Sequence, residues 1–302
     1  MKNYLVFDWG GTYLKYALMD GETRILEKGK VPSPKKTDTK EVFMKTIDEI
    51  VSRCPQTDGI AISSPGILNS DTGVIDVVAV FPYLSGCNIR EELQERYHVP
   101  VSLENDGKCA ALAELWKGNL QGCRDGAVMI IGTAIGGGII LDGRLRRGRH
   151  YSAGEFSEMC FDIYRPERKE SYCSALGAAG LITRVAAALG KDPAEMSGEE
   201  AFACINEGNE AALQALREYT DLFALQICSL NILLDLEKVC IGGGISQQPE
   251  LIRSLRLSME GLKDVQLDMK NGLELPLCEV DVCRFHNDAN LIGALYHLIY
   301  ES

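Results

Sequence analysis

The sequence lacks the residue patterns that mark a metal-ligand cluster or a membrane segment. Its eleven cysteines contain no CxC or CxxC pair, and its four histidines form no HxxxH pair. A tetrahedral zinc site usually draws its ligands from such closely spaced pairs, so we expect no structural zinc. The longest apolar run without a charged residue, 127–141, has 15 residues and four glycines. It is too short to span a bilayer.

An excess of positive charge is also absent. The 302 residues include 43 acidic and 31 basic side chains, which gives a net charge of −12. A surface of that sign repels the phosphates of nucleic acids and anionic lipids, so we expect neither as a partner. Asp8 stands too early in the chain for a secretory signal peptide. These features predict a cytoplasmic protein with reduced thiols.

The sequence contains an internal echo. Residues 5–21 and 127–143 each combine an apolar stretch, a Gly/Thr turn, a second apolar stretch and a closing Asp-Gly. Asp-Gly between β-rich runs is a hairpin signal, so both copies predict the opening hairpin of an α/β domain. We interpret the echo as a duplicated domain, although turn residues could coincide by chance in two hairpins. The matched positions are Gly10 and Gly132, Asp20 and Asp142, and Gly21 and Gly143.

Strands and helices alternate in both halves of the chain, which indicates an α/β protein. The echo alone puts a domain boundary near 117–125, because no Pro-, Gly- or Ser-rich linker is present. The predicted helices are 40–52, 89–97, 107–116, 178–189, 211–234, 249–262 and 289–300, and the predicted strands outside the hairpins are 59–63, 99–103 and 238–241.

Glycine-rich turns close both copies of the echo. In Asp8-Trp-Gly10-Gly11-Thr12, consecutive backbone amides could bind an anion, and Asp8 could hold Mg²⁺ or its waters. The alternative is a tight hairpin with an exposed aspartate. The second turn, 132–138, would supply a matching set of amides from the other half. Two such turns suggest phosphates held in a cleft between the domains.

Three further segments carry candidate polar groups. Asp106 follows a predicted strand and could accept a hydroxyl proton while Asn105 binds that hydroxyl, or either residue could cap the next helix. Glu155 and Glu158 are spaced to share a helical face and could bind sugar hydroxyls, or form a solvated turn. The glycines at 242–244 could admit a nucleotide or only make a tight turn. We interpret the arginine-rich loop 144–149 as solvent-facing.

Taken in order, these motifs resemble the ROK family of sugar kinases and sugar-responsive repressors, over nearly the whole chain. The motifs are Asp8-Trp-Gly-Gly-Thr-x-x-Lys15, Ser64-Pro-Gly66, Glu104-Asn-Asp106, Gly132-Thr-x-x-Gly-Gly-Gly138, Gly154-Glu155, Ile241-Gly-Gly-Gly244 and the closing Asn287-Asp-Ala-Asn-Leu-Ile-Gly-Ala294.

The resemblance implies a duplicated ribonuclease-H-like fold of the actin, Hsp70 and hexokinase superfamily, with two domains and a central cleft. We expect an N-terminal domain of 1–117 plus 288–302, because the last helix crosses back, and a larger C-terminal domain of 118–287. It also implies binding of ATP and Mg²⁺, and a homodimer is possible by the same resemblance.

The resemblance also implies roles for individual residues. Asp106 is the general base. The sugar ligands are Gly66, Asn105, Glu155 and Glu158. The nucleotide is held by Asp8, Gly10, Gly11, Thr12 and Lys15, by Gly132 and Thr133, and by Gly243 and Gly244, with Asp8 reaching Mg²⁺ through ATP.

The chain departs from the family pattern at Ser157 and Glu158, where Gly and His are usual, at Ala134, where a third glycine is common, and in lacking the cysteine-rich zinc loop. The zinc-less branch, with kinases for β-glucosides and N-acetylmannosamine, is the nearer match. We therefore expect phosphorylation of a hexose or hexose derivative, at the 6-hydroxyl. The alternatives are a sugar-sensing regulator, for which the seven residues before Asp8 leave no room for a DNA-binding domain, and an Hsp70- or actin-like ATPase.

Overall fold

The structure is a computed structural model that describes residues 2–269 and 276–302, without the side chains of 265–269. The chain divides into two compact units. Unit 1 comprises Met1–Gly118, Leu145–Ala153 and Asn287–Ser302, and unit 2 comprises Asn119–Arg144 and Gly154–His286. The segment Leu145–Ala153 therefore belongs to unit 1, whereas the sequence analysis placed it in the C-terminal domain.

Unit 1 is built on a five-stranded sheet in the order β3-β2-β1-β4-β7. The hairpin β1–β2 is antiparallel, and β4 and β7 add to β1 in parallel. A small hairpin, β5–β6, follows β4. The strands are β1 Asn3–Trp9, β2 Tyr13–Asp20, β3 Ile25–Pro32, β4 Ile60–Ser64, β5 Ile67–Asn69, β6 Val74–Val77 and β7 Val101–Asn105; the helices are α1 Lys40–Val51, α2 Ile89–Tyr97, α3 Asp106–Lys117 and, at the end of the chain, α8 Ala289–Tyr300.

Unit 2 repeats the same sheet, in the order β10-β9-β8-β11-β12. Its opening hairpin is antiparallel, and the next two strands add in parallel on the other side. The strands are β8 Gly126–Ile131, β9 Ile135–Leu141, β10 Arg144–Leu145, β11 Lys238–Gly242 and β12 Glu279–Val282; the helices are α4 Ala178–Ala188, α5 Gly198–Asn206, α6 Glu210–Leu234 and α7 Pro249–Met269. Short 3-10 helices lie at Pro82–Leu84, Phe156–Glu158, Lys169–Ser171, Cys173–Leu176, Pro193–Glu195, Gly244–Gln247 and His286–Asp288.

The sheet of unit 1 is buried on both faces, because its parallel strands are covered by helices on each side. Leu5, Phe7 and Trp9 alternate along β1 and join a core cluster with Phe43 and Ile47 of α1. The other face of the sheet packs against α8, which in turn packs closely on α3. Because side chains alternate along a strand, Asp8 points to the face opposite Phe7 and Trp9.

The predicted helices 89–97 and 289–300 coincide with α2 and α8. The predicted end of helix 249–262 is wrong, since α7 continues to Met269. The predicted strand 99–103 is displaced by two residues, because Pro100 cannot donate a ladder hydrogen bond and β7 begins after it. Strand β3 was not predicted; it is a polar, largely exposed edge strand without apolar alternation.

None of the helices in the described part of the chain combines the length and apolar composition that a bilayer crossing requires. All eleven cysteines lie within that part and are free thiols, seven of them buried and four partly exposed. The buried ones occupy core positions, as expected of small apolar side chains.

Candidate functional site

Asp8 lies near the carboxyl end of β1 and is only 5% exposed. Its neighbours across the sheet are Lys15 on β2 and Ser63 on β4. The Lys15 Nζ lies 3.1 Å from Asp8 Oδ2, while Asp8 Oδ1 accepts hydrogen bonds from Ser63 Oγ at 3.3 Å and Asn290 Nδ2 at 3.0 Å. The carboxylate is thus held in place by donors from three elements, which stabilises its charge despite its burial.

The first glycine turn follows directly after β1. The Gly10 N–H donates to the Tyr13 carbonyl at 3.1 Å, and the Thr12 carbonyl accepts from the Ser33 N–H at 3.1 Å. Gly11 and Thr12 are exposed. The turn is therefore fixed at both ends while its tip is accessible to a ligand.

Asn105 is the last residue of β7 and the N-cap of α3. Its Oδ1 accepts the Lys108 N–H at 3.1 Å, and its Nδ2 donates to the Gly66 carbonyl at 3.0 Å. The side chain is 6% exposed and held from both sides. Asn105 is therefore the capping residue, of the two that the sequence analysis considered.

Asp106 is the first residue of α3 and is half-buried. Its Oδ1 accepts the Gly107 N–H at 2.8 Å. A carboxylate in the first turn of a helix is favoured by the helix dipole, so the ionised form is stabilised here. Capping by Asn105 leaves Asp106 at a fixed position beside the Gly66 carbonyl that Asn105 binds.

The arginine-rich loop is not uniformly solvent-facing, and the prediction is wrong for Arg147. Arg144, Arg146 and Arg149 are exposed, but the Arg147 side chain is only 20% exposed. Its Nε donates to Glu104 Oε2 at 2.7 Å. A nearly buried carboxylate on β7 requires a cationic partner, which is a requirement that the loop sequence alone did not reveal.

In unit 2, the structure brings the second glycine turn and the glycines after β11 together. The Gly132 N–H donates to the Ala134 carbonyl at 3.0 Å, and Gly132 and Thr133 are exposed. Gly243 has a φ of +96°, and a Cβ there would lie 2.1 Å from the Ile131 carbonyl oxygen. Only glycine allows this approach, so Gly243 packs directly beside the strand end that leads into the second turn.

Gly154 and the residues after it pack on β9. A Cβ on Gly154 would lie 3.0 Å from the Gly137 carbonyl oxygen. Glu155 precedes a single 3-10 turn that contains Glu158; Glu155 is half-buried and Glu158 exposed. The Ser157 hydroxyl accepts the Ile135 N–H at 3.0 Å and donates to the Ile135 carbonyl at 2.9 Å. Ser157 thereby fixes the turn that carries both glutamates.

Within the described ranges, no group of three or more His, Cys, Asp or Glu side chains is placed to hold a metal ion. The expected absence of structural zinc stays a prediction. For Mg²⁺, Asp8 supplies the oxygen donor that this ion prefers. Because both its oxygens already accept protein hydrogen bonds, the residues fit an ion held mainly by nucleotide phosphates and water, with Asp8 in contact with that water.

Sequence reasoning missed several residues that hold this site. Ser63 lay inside a predicted strand and Asn290 inside a family motif, but neither was assigned a role. Ser157 was noted only as a departure from the family pattern. Glu104 was quoted only as part of a motif. For each of them, the informative signal was a polar residue next to a candidate site residue or in an otherwise apolar element.

The two sheets share one strand order, and each opens with a hairpin whose glycine turn lies at the same place. These features define the duplicated α/β fold of the actin and hexokinase type. The chain belongs to the ROK family, whose family model matches residues 4–300.

Named relatives cover almost the entire chain. A β-glucoside kinase of Listeria monocytogenes is 32% identical over 301 residues, which are 98% of this chain and 97% of the relative. The crystal structure of a ROK family protein from Streptococcus pneumoniae in complex with sucrose has a TM-score of 0.87 and 31% identity, covering 99% of this chain and 98% of that one. A ROK hexokinase from Thermus thermophilus has a TM-score of 0.80 and 27% identity, with 99% and 98% covered.

Proposed function

We propose that this protein is an ATP-dependent sugar kinase that transfers the γ-phosphoryl group to a hydroxyl of a hexose or hexose derivative. The observation that carries the proposal is the arrangement at the start of α3. Asn105 is held by the Lys108 N–H and the Gly66 carbonyl, and Asp106 follows it at the helix N-terminus. The family membership and the kinases among the relatives support the same reaction class.

In this proposal, Asp106 is the general base. Its carboxylate accepts the proton of the attacking hydroxyl while the Asn105 amide binds that hydroxyl. Gly66, Glu155 and Glu158 complete the sugar contacts. Phosphoryl transfer needs little covalent chemistry from the protein, so the rate enhancement would come from positioning and charge neutralisation.

The nucleotide is assigned to the two glycine turns. Backbone amides at the exposed turn tips suit phosphate oxygens, because consecutive N–H groups form an anion-binding surface. Mg²⁺, when bound, would neutralise phosphate charge, with Asp8 orienting the bound water and Lys15 fixing Asp8. The residues assigned to the nucleotide are Asp8, Gly10, Gly11, Thr12 and Lys15 in unit 1 and Gly132, Thr133, Gly243 and Gly244 in unit 2.

The acceptor is proposed to be a glucose-type or β-glucoside sugar, with N-acetylmannosamine as the second candidate. Support for a β-glucoside comes from the kinase relative of that name at 32% identity. Phosphorylation at the 6-hydroxyl, a homodimeric state and a cytoplasmic location remain predictions. A second candidate function is a sugar-sensing ROK protein without turnover.

A coupled ADP-release assay tests the proposal. The purified protein is given ATP and Mg²⁺ with glucose, cellobiose, N-acetylglucosamine or N-acetylmannosamine, and the phosphorylated carbon is identified by NMR. We expect sugar-dependent ADP release with at least one of these sugars and phosphate on the 6-oxygen. Sugar binding and ATP binding without any turnover would contradict the kinase and favour the regulator.

A further inference from the structure

A buried ion-pair network lies directly behind the start of α3. Glu104, the residue before Asn105, is 1% exposed. Its Oε1 accepts the Asn105 N–H at 2.7 Å, and its Oε2 accepts from Arg147 Nε at 2.7 Å. One carboxylate therefore joins the backbone of Asn105 to the guanidinium of Arg147.

The other end of the guanidinium is bound to the last helix. Arg147 Nη2 donates to Glu301 Oε2 at 2.5 Å and lies 3.2 Å from His297 Nδ1. Burial acts against the charges, but Glu104 and Glu301 raise the pKa of Arg147, and His297 and Arg147 lower the pKa of Glu301. Both ions stay charged at neutral pH, so the bridge between the two carboxylates is maintained.

Arg147 also closes its own loop. Its carbonyl accepts the Ala153 N–H at 3.1 Å, and Ala153 immediately precedes Gly154-Glu155. The loop residue Tyr151 donates to Asp71 Oδ2 at 2.7 Å, which gives the segment a second attachment in unit 1. The loop is thus fixed by two side chains, and Arg147 alone contacts the residue behind Asn105.

We infer that Arg147 is a positioning residue for phosphoryl transfer: through Glu104 it holds the backbone at Asn105, and with it Asp106, in the geometry that the reaction needs. This inference rests on the proposed kinase function. A displacement of about 1 Å at a reacting group can cost on the order of 10²-fold in rate. Lysine cannot replace Arg147 fully, because a single ammonium lacks the planar fork that contacts Glu104 and Glu301 together.

The test compares Arg147→Met with Arg147→Lys and with Arg149→Met, an exposed arginine of the same loop as a matched control. We expect Arg147→Met to lower kcat by on the order of 10²-fold while the KM for ATP stays unchanged, with partial recovery in Arg147→Lys. Arg149→Met should behave like the wild type. Thermal denaturation establishes that each variant is folded, and a merely structural role would not lower kcat in folded protein.

Hydrogen exchange gives a readout that does not depend on turnover. The peptide covering 101–108 should exchange faster in Arg147→Met and Arg147→Lys than in the wild type and in Arg149→Met. A wild type that phosphorylates no sugar would refute the proposed function, while the exchange comparison would still decide the role of Arg147. Unchanged exchange, or a kcat within about twofold of the wild type, in folded Arg147→Met refutes the inference. If Arg147→Met does not fold, Arg147→Lys decides by the same two criteria.

Discussion

The packing of α8 on α3 leads to a quantitative prediction for Gly293→Ala. A Cβ at position 293 would lie 1.7 Å from the Cys109 carbonyl oxygen and 2.4 Å from its carbonyl carbon. The obstacle is helix backbone, so no side-chain rotation relieves it. Overpacking costs about 1–3 kcal/mol, and a rigid obstacle indicates the upper end. Alanine returns about 1 kcal/mol in helix propensity, which leaves a net loss of about 2 kcal/mol.

The matched control is Gly261→Ala in α7, because no heavy atom lies within 4 Å of a Cβ at that position. Alanine should stabilise this exposed helix position by about 0.5–1 kcal/mol. Urea denaturation followed by circular dichroism measures both variants. The two substitutions should shift stability in opposite directions, and Gly293→Ala should lower Tm by about 4–8 °C. A Gly293→Ala variant as stable as the wild type would refute the close helix contact.

Three further predictions concern Asp8, the acidic limb of stability and the cysteines. Asn290→Ala removes a donor from the buried Asp8 carboxylate, so the KM for ATP should rise by on the order of tenfold in steady-state kinetics; an unchanged KM would argue against the nucleotide role of Asp8. The lowered pKa of Glu301 contributes stability above its ordinary value of about 4.3, and this contribution is lost as the pH falls through the lower folded pKa. Acid unfolding should therefore be less steep in Glu301→Gln, and equal slopes would count against it. Native protein treated with iodoacetamide at neutral pH should be modified only at the partly exposed thiols, as mass spectrometry can establish; rapid modification of a buried thiol would contradict the fold. The partly exposed thiols are Cys87, Cys123, Cys160 and Cys204.

Much of the fold could be predicted from the sequence because the two hairpins repeat visible residue patterns. The apolar runs at 5–9 and 127–131 and the turns after them identify β1 and β8 with their partners. Strand β3 and strand β12 carry few apolar residues and lie at sheet edges, so neither alternation nor a long apolar run identifies them. Their pairing depends on the neighbouring strand, which is information that a local pattern does not contain.

The candidate site was predicted only in part, for a related reason. Asp8, Asn105 and the glycine turns are identified by local sequence, since each follows a strand and has a recognisable neighbour. Arg147 acquires its role from Glu104, which lies 43 residues earlier in the chain. Its sequence context, four arginines within six residues, is typical of an exposed loop. The buried carboxylate that requires it is apparent only after folding.

The central claim, that Asp106 accepts the proton of a sugar hydroxyl, is tested most directly by Asp106→Asn. The measurement pairs sugar-dependent ADP release with calorimetric sugar binding, and Asp142→Asn at an exposed turn serves as the control. Loss of a positioned general base should lower kcat by on the order of 10²–10⁴-fold while the sugar still binds. A variant that keeps near-normal turnover would contradict the account.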